Sequence, residues 1–468
     1  MLFSSIEFLY YFLPVTLLVY FIIPMPGGSP KARNYWLLFS SLVFYGWGGP
    51  WYLALITSQV LAGWLFGFLI EYRRGRLVLA CAVIVGLSGL LFFKYTDFFL
   101  SNINAAFHSS IPLLKLTLPL GISFNTFQLL SYNIDLYYGK IKLQKNFFTL
   151  FAYVALFPQL IAGPIVRYST VEKELHARKH SIQMIAAGVR RFTLGLGKKV
   201  LIANVLGEMV EFYKTSGENT VLGAWIYIIA YAFHLYFDFS GYSDMAIGMG
   251  KIFGFNFLEN FNYPYISKSV TEFWRRWHIS MSSWFRDYIY IPLGGNRVKK
   301  WRHILNIAVV WFVTGFWHGA NWNFILWGAY FGALLLFEKF IFGGALKKLP
   351  RVIAHLYIVL CIAVGWTLFD SESLAAALIR AGRLFGAGTD GIIGADMAYC
   401  LHSYLVPLII AAIGCTPVPS RIAARIAKGK NGKAVMTVLE PLGVGAVIFT
   451  VTAYLVDGSF NPFIYFRF

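Results

Sequence analysis

His318 stands in 311-WFVTGFWHGANWNFILWGAYFG, between two apolar runs and flanked by Trp317, Gly319, Asn321 and Trp322. A neutral imidazole in such a place can take the proton of a hydroxyl as that hydroxyl attacks a carbonyl. Burial favours the neutral form that a base needs. Gly315 and Gly319 let the backbone bend or another group come close. The plainer alternative is a hydrogen-bonded core histidine, and one histidine alone does not decide between them.

Two further stretches carry chemistry. The first is 271-TEFWRRWHISMSSWFRDYIYIPLGGNR, which holds three tryptophans, Trp274 among them, His278, and Arg275, Arg276 and Arg286. Guanidinium groups bind phosphates in a fixed geometry. Coenzyme A or a phosphopantetheine arm would offer such phosphates. An interfacial aromatic and basic belt reads equally well. The second is 234-HLYFDFSGYSD, inside an apolar run. His234, Asp238 and Tyr242 recur every four residues, so they share one helical face, with Asp244 just beyond. They could line a polar tunnel, or they could be polar glue between helices.

The elements that must position these residues are membrane helices. The chain of 468 residues is 58% hydrophobic and only 13% charged, and its mean hydropathy is +0.62. A soluble domain has roughly 45–50% apolar and about 25% charged residues, so lipid is the solvent that suits this exterior. Apolar runs near the ~20 residues of a spanning helix occur at 6–23, 35–48, 51–70, 77–99, 116–137, 184–206, 221–250, 304–317, 320–341, 352–370, 397–414 and 436–455. Continuous runs, not ten-residue alternations, call for helices and not a barrel. The fold class is therefore all-α and polytopic, with about 11–12 transmembrane helices. The run MLFSSIEFLYYFLPVTLLVYFII lacks a basic leader and carries Glu7, so it reads as a retained first helix.

Net charge is +19, but Lys and Arg cluster in short loops between apolar runs, which speaks for cytoplasmic loops and against nucleic acid. The basic stretches 71–76, 139–145, 176–180 with 190–192, 296–303, 346–351 and 421–433 are assigned to the cytoplasm. The neutral or acidic loops 101–115, 207–220 and 371–396 are assigned to the outside. This alternation holds if 147–166 and 257–300 do not cross, and both read as re-entrant or interfacial segments. With no linker or repeat, 1–468 reads as one domain. Cys81, Cys361, Cys400 and Cys415 form no CxxC pair and read as buried small hydrophobes, and no ligand cluster suggests a metal.

Taken together, several stretches resemble the membrane-bound O-acyltransferase (MBOAT) family, most closely its bacterial, AlgI/DltB-like branch. They are 118-LPLGISFNTFQLLSYNIDLYYG, 156-LFPQLIAGPIVRY, 237-FDFSGYSDMAIGMGKIFGFNFLENFNYPY, the 271 and 315 stretches, and the terminal 460-FNPFIYFRF. Asn125 departs from the pattern, where an aromatic is common. The family core falls roughly at 118–330.

The resemblance implies a helical bundle with re-entrant pieces around a buried tunnel, a catalytic role for His318, and a second motif position at His278. Trp274, Arg275, Arg276, Arg286, Trp317, Asn321, Asp238, Tyr242 and Asp244 are the candidate substrate-binding residues. It implies an O-acyltransferase, and for this branch an O-acetyltransferase of alginate-like exopolysaccharide or cell-envelope polymer in the bacterial plasma (inner) membrane. The donor would be a cytoplasmic acyl thioester, acetyl-CoA or an acyl carrier, with no tightly bound cofactor. Membrane lipid and an extracytoplasmic acetyltransferase partner or polysaccharide acceptor would be the other partners. The alternative is a transporter or flippase of an acyl donor or glycan, for which two similar halves with broken helices would be expected. No such repeat is visible.

Overall fold

The computed structural model describes residues 1–160 and 163–458. Ile161 and Ala162 of the 156 stretch and the whole 460–468 stretch lie outside the described residues. Among the described residues the chain is helical throughout, with one isolated bridge between Thr220 and Gly391. Helices are the form in which a chain of this hydropathy satisfies its own backbone hydrogen bonds away from water.

In chain order the helices are α1 (Leu13–Ile22, continuing a π turn from Glu7), α2 (Lys31–Gly46), α3 (Trp51–Tyr72), α4 (Arg76–Phe107), α5 (Ile122–Tyr137), α6 (Phe147–Ala155), α7 (Tyr168–His176), α8 (Ile182–Gly197), α9 (Val205–Ser216) and α10 (Val221–Ile252). There follow α11 (Val270–Arg276), α12 (Ile279–Phe285), α13 (Lys300–His318), α14 (Trp322–Phe337), α15 (Arg351–Phe369), α16 (Leu374–Arg383), α17 (Ala395–Gly414), α18 (Val418–Lys428) and α19 (Gly432–Val456). A π turn, Lys198–Asn204, joins α8 to α9 without a break.

Seven of these are long and apolar enough to cross a membrane: α3, α4, α10, α14 extended to Leu346, α15, α17 and α19. The protein is thus a multi-pass membrane protein. The other apolar runs are helical but short or polar by that measure. Glu7–Ile22 is one, and α2 and α5 have 16 residues each. The two stretches expected not to cross are built from pieces too short to span: α6 has nine residues, and α11 and α12 have seven each. Caps start them locally. Asn146 accepts from the Thr149 N–H at 2.9 Å, and Ser269 accepts from the Glu272 N–H at 3.0 Å.

Chain contacts divide the molecule into two compact units. The first comprises 1–192 and 242–258. Its centre is α5, buried almost all round. Asn125, the departure from the family pattern, is fully buried there, and both its amide atoms lack a partner among the described residues. The second unit comprises 193–241 and the chain from 259 on. Its core is an aromatic and aliphatic cluster drawn from α9, α10, α11, α14, α15 and α17. Cys361, Cys400 and Cys415 are buried in it as expected. Cys81 is exposed, because it lies on the outer side of α4, where lipid stands in for protein.

Candidate active site

His318 is the last residue of α13, and Asn321 opens α14. The two helices form a hairpin whose backbones touch. A Cβ on Gly315 would run into the Phe324 carbonyl, one on Gly328 into the Trp311 carbonyl, and one on Gly319 into the Phe324 ring. The glycines therefore serve close approach, not a bend. The turn between the helices is bolted to the end of α15. Asn321 donates to the Glu372 carbonyl at 3.2 Å, and Asn323 donates to the Ser371 carbonyl at 2.6 Å. That clamp brings Phe369 within 5.2 Å of the His318 ring, with Trp317 at 4.8 Å and Trp327 at 5.0 Å between centroids. The imidazole is buried among aromatic edges and faces.

His278 lies in the same unit, fully buried at the start of α12, in the left-handed region with φ 45°. Few non-glycine residues adopt that conformation, and those that do are commonly held by their surroundings. Here the holder is Asn260. Its Oδ1 accepts from the Ser280 N–H at 3.2 Å and the Ser280 hydroxyl at 2.8 Å, and its carbonyl accepts from the Ile279 N–H at 2.9 Å. A backbone N–H can only donate, so the amide atom facing α12 is the oxygen. The same oxygen lies 3.1 Å from His278 Nδ1, which must therefore carry the proton. Nε2 is then a bare lone pair, and it has no partner among the described residues. Burial pushes the His278 pKa down to about 3, so the ring is neutral. It packs 4.7 Å from Phe239 and 6.3 Å from Trp317, whose ring lies 4.8 Å from that of His318.

A cavity of about 1000 Å³ opens beside this cluster. Lys268, Arg275, Lys339, Lys347 and Arg351 line it, against two carboxylates, Glu272 and Glu338. Both carboxylates are already engaged. Glu338 is buried and accepts from the Val270 N–H at 2.6 Å, the Thr271 N–H at 2.9 Å and the Thr271 hydroxyl at 2.6 Å. Glu272 pairs with Arg276 at 2.9 Å. None of the five cations forms an ion pair among the described residues, so the cavity presents unneutralised positive charge. Trp311 stands in its apolar wall beside Ile307, Val310 and Leu335. Trp311 lies 4.9 Å from Trp274 and 6.0 Å from Trp327, and Trp327 touches His318. Two indoles in series, Trp311 and then Trp327, lead from the charged cavity to the imidazole. Such a layout suits a polyanionic molecule that sends a reactive end toward a dry base.

Comparison with known proteins gives the family. The model of the MBOAT, membrane-bound O-acyltransferase, family matches residues 143–347, which contain both histidines. A protein of Azotobacter vinelandii named probable alginate O-acetylase AlgI is 38% identical over 422 residues, 88% of this chain and 84% of its own. The chain belongs to the membrane-bound O-acyltransferase family. The peptidoglycan O-acetyltransferase of Helicobacter pylori is 36% identical over 81% of this chain and 78% of its own. The teichoic acid D-alanyltransferase of Bacillus subtilis is 31% identical over 47% and 60%. The activity is acyl transfer to a hydroxyl.

In this O-acyltransferase the other candidate residues part company. Of the three arginines, only Arg275 lines the cavity. Arg276 is tied to Glu272 and donates to the Asn262 carbonyl at 3.0 Å, which fixes the loop before α11. Arg286 is mostly exposed and pairs with its neighbour Asp287. Asp238 meets Lys199 at 2.6 Å, with both side chains buried, where the π turn of 198–204 reaches α10. Tyr242 stacks on Phe3 at 4.4 Å, and Asp244 pairs with Arg191 at 2.6 Å, both in the first unit. Sequence reading passed over Asn260, Trp327, Phe369 and Lys199. Asn260 and Trp327 lay in stretches quoted for their motif, but nothing in their spacing marks the contact each makes.

Proposed function

We propose that this protein moves an acetyl group from a cytoplasmic thioester donor to a hydroxyl at the outer face, in the modification of an exopolysaccharide or cell-envelope polymer in the bacterial inner membrane. The observation that carries the reading is the unneutralised basic cavity, two indoles from the buried His318. Arg275 and its neighbours hold the donor's phosphates, and the pantetheine arm passes the tryptophans to His318.

The steps balance within these groups. A hydroxyl oxygen attacks the thioester carbonyl as His318 takes its proton. The new C–O bond forms, the C–S bond breaks, and the imidazolium returns the proton to the leaving thiolate. His278 has no proton to give on Nε2. Its role is to accept a hydrogen bond there, from an amide N–H of the arm, and so to position the thioester. The relatives' names cite alginate, peptidoglycan and teichoic acid, which supports a polymer hydroxyl as final acceptor. An extracytoplasmic acetyltransferase partner is the intermediate acceptor in this reading.

The test uses the purified protein in proteoliposomes with acetyl-labelled donor outside and acceptor within. Wild type should form labelled ester in the lumen. His318→Ala should lose at least about 100-fold in rate, the lower range for a general base, while remaining inserted. Retention of more than about a tenth of the wild-type rate would remove His318 as the base. Label that crosses without forming ester would mean transport instead of transfer.

A further inference from the structure

We propose a structural lipid site: one acyl chain of an anionic phospholipid lies in a groove between α10, α15 and the end of α17, with its headgroup on the basic stripe of α18. The groove holds about 390 Å³. Trp225, Ile228, Ile229, Ala232 and Phe233 of α10 face it, as do His355, Ile358, Val359, Ile362, Ala363 and Trp366 of α15. Both series run at three- and four-residue steps, so each is one continuous helix face. From 355 to 366 the α15 wall rises roughly 16 Å, a length that suits an extended hydrocarbon chain.

The wall offers a ligand little to hydrogen-bond. Tyr265 donates to the Ala232 carbonyl at 2.7 Å and accepts from Trp366 Nε1 at 3.1 Å. His355 donates from Nδ1 to the Ser267 carbonyl at 3.0 Å. The occupant is therefore hydrocarbon and not sugar or nucleotide. Ile229 and Val359, at the rim, are 42% and 39% exposed on helices long and apolar enough to span. The groove opens sideways, toward lipid.

Its polar end points to the headgroup. Cys415 and Thr416 close the groove, and α18 begins two residues later. The Tyr263 hydroxyl bonds Ser420 at 3.2 Å, tying α18 to the turn that supplies Tyr265 and Ile266. No residue of α18 is buried. Val418, Ile422 and Ile426 form an exposed apolar stripe, with Arg421, Arg425 and Lys428 in the adjoining stripe. No Asp or Glu occurs from 397 to 439. A short helix between two spans, apolar on one side and basic on the next, lies in the plane of a membrane surface and favours anionic lipid.

The experiment places the full-length protein in nanodiscs with a trace of phosphatidylglycerol or phosphatidylcholine carrying a photoreactive tail, and maps adducts by peptide mass. Phosphatidylglycerol should label the α10 and α15 faces over phosphatidylcholine by about fivefold, the ratio one headgroup–cation contact supplies. Changing Arg421, Arg425 and Lys428 to Gln together should bring the two lipids to parity while tail labelling persists. Ala363→Trp should abolish groove labelling with either lipid. Ala232→Phe, in a second part of the wall, should do the same if Ala363→Trp fails to fold. Equal labelling by both lipids in the wild type, or a preference that survives the triple change, would overturn the proposal. So would protection of α18 by a soluble acidic carrier protein without any lipid preference.

Discussion

His278 shows how a single contact assigns a tautomer. Asn260 fixes the proton on Nδ1, and burial keeps the ring neutral down to about pH 3. Any acid limb of the rate between about pH 5 and 8 must then belong to another group. We expect His278→Asn to lower kcat yet leave such a limb where it is, as read from full pH–rate profiles of both proteins. A limb that vanishes in the variant would make His278 the titrating base. The sequence exposed both histidines, since each sits among tryptophans in an apolar setting that gives an ionisable group no structural excuse. It could not expose Asn260, which is 18 residues from His278 and acts only once the 257–263 loop folds back onto α12.

Among the short elements, α11 carries adjacent arginines with different duties, and sequence treated them as one group. Helical spacing decides the matter. Arg276 falls four residues after Glu272 and pairs with it, while Arg275 turns toward the cavity. Arg275→Ala should raise the donor KM about tenfold with a smaller change in kcat, the pattern of lost ground-state binding. Arg276→Ala should leave KM nearly unchanged and cost about 1 kcal/mol of stability, since its ion pair is partly exposed. Steady-state rates and melting curves on both variants check this, and the reverse assignment would show that the cavity does not hold the donor. Elements also mark where hydropathy reading stopped short. The stretches 207–220, 371–396 and 421–433 looked like loops, yet α9 runs to Ser216, α16 lies within the second, and α18 runs to Lys428 in the third. Their charged faces lower the average that an apolar run must reach.

For the whole molecule, the assignment of basic loops to the cytoplasm remains the feature on which transfer across the membrane depends. Thr215, exposed near the end of α9, and Lys430, exposed after α18, test it directly. With single cysteines at these positions in a Cys-free background, an impermeant thiol reagent on intact cells should label position 215 and spare position 430. The opposite pattern would invert the molecule and put the acceptor in the cytoplasm. Overall class was legible because hydropathy reports removal from water. It does not say whether lipid or protein does the removing, which is why α5 read as a span although protein surrounds it on nearly every side.

The indole layer beside His318 has an optical consequence. Trp274, Trp277, Trp311, Trp327 and Trp366 each lie within 4.9–6.4 Å of another member of the set. Excited-state energy hops freely at such separations, so the group emits as one chromophore. If the donor fills the basic cavity against Trp311 as proposed, its binding should shift the emission of the whole set, a change that titrating donor into the protein would read.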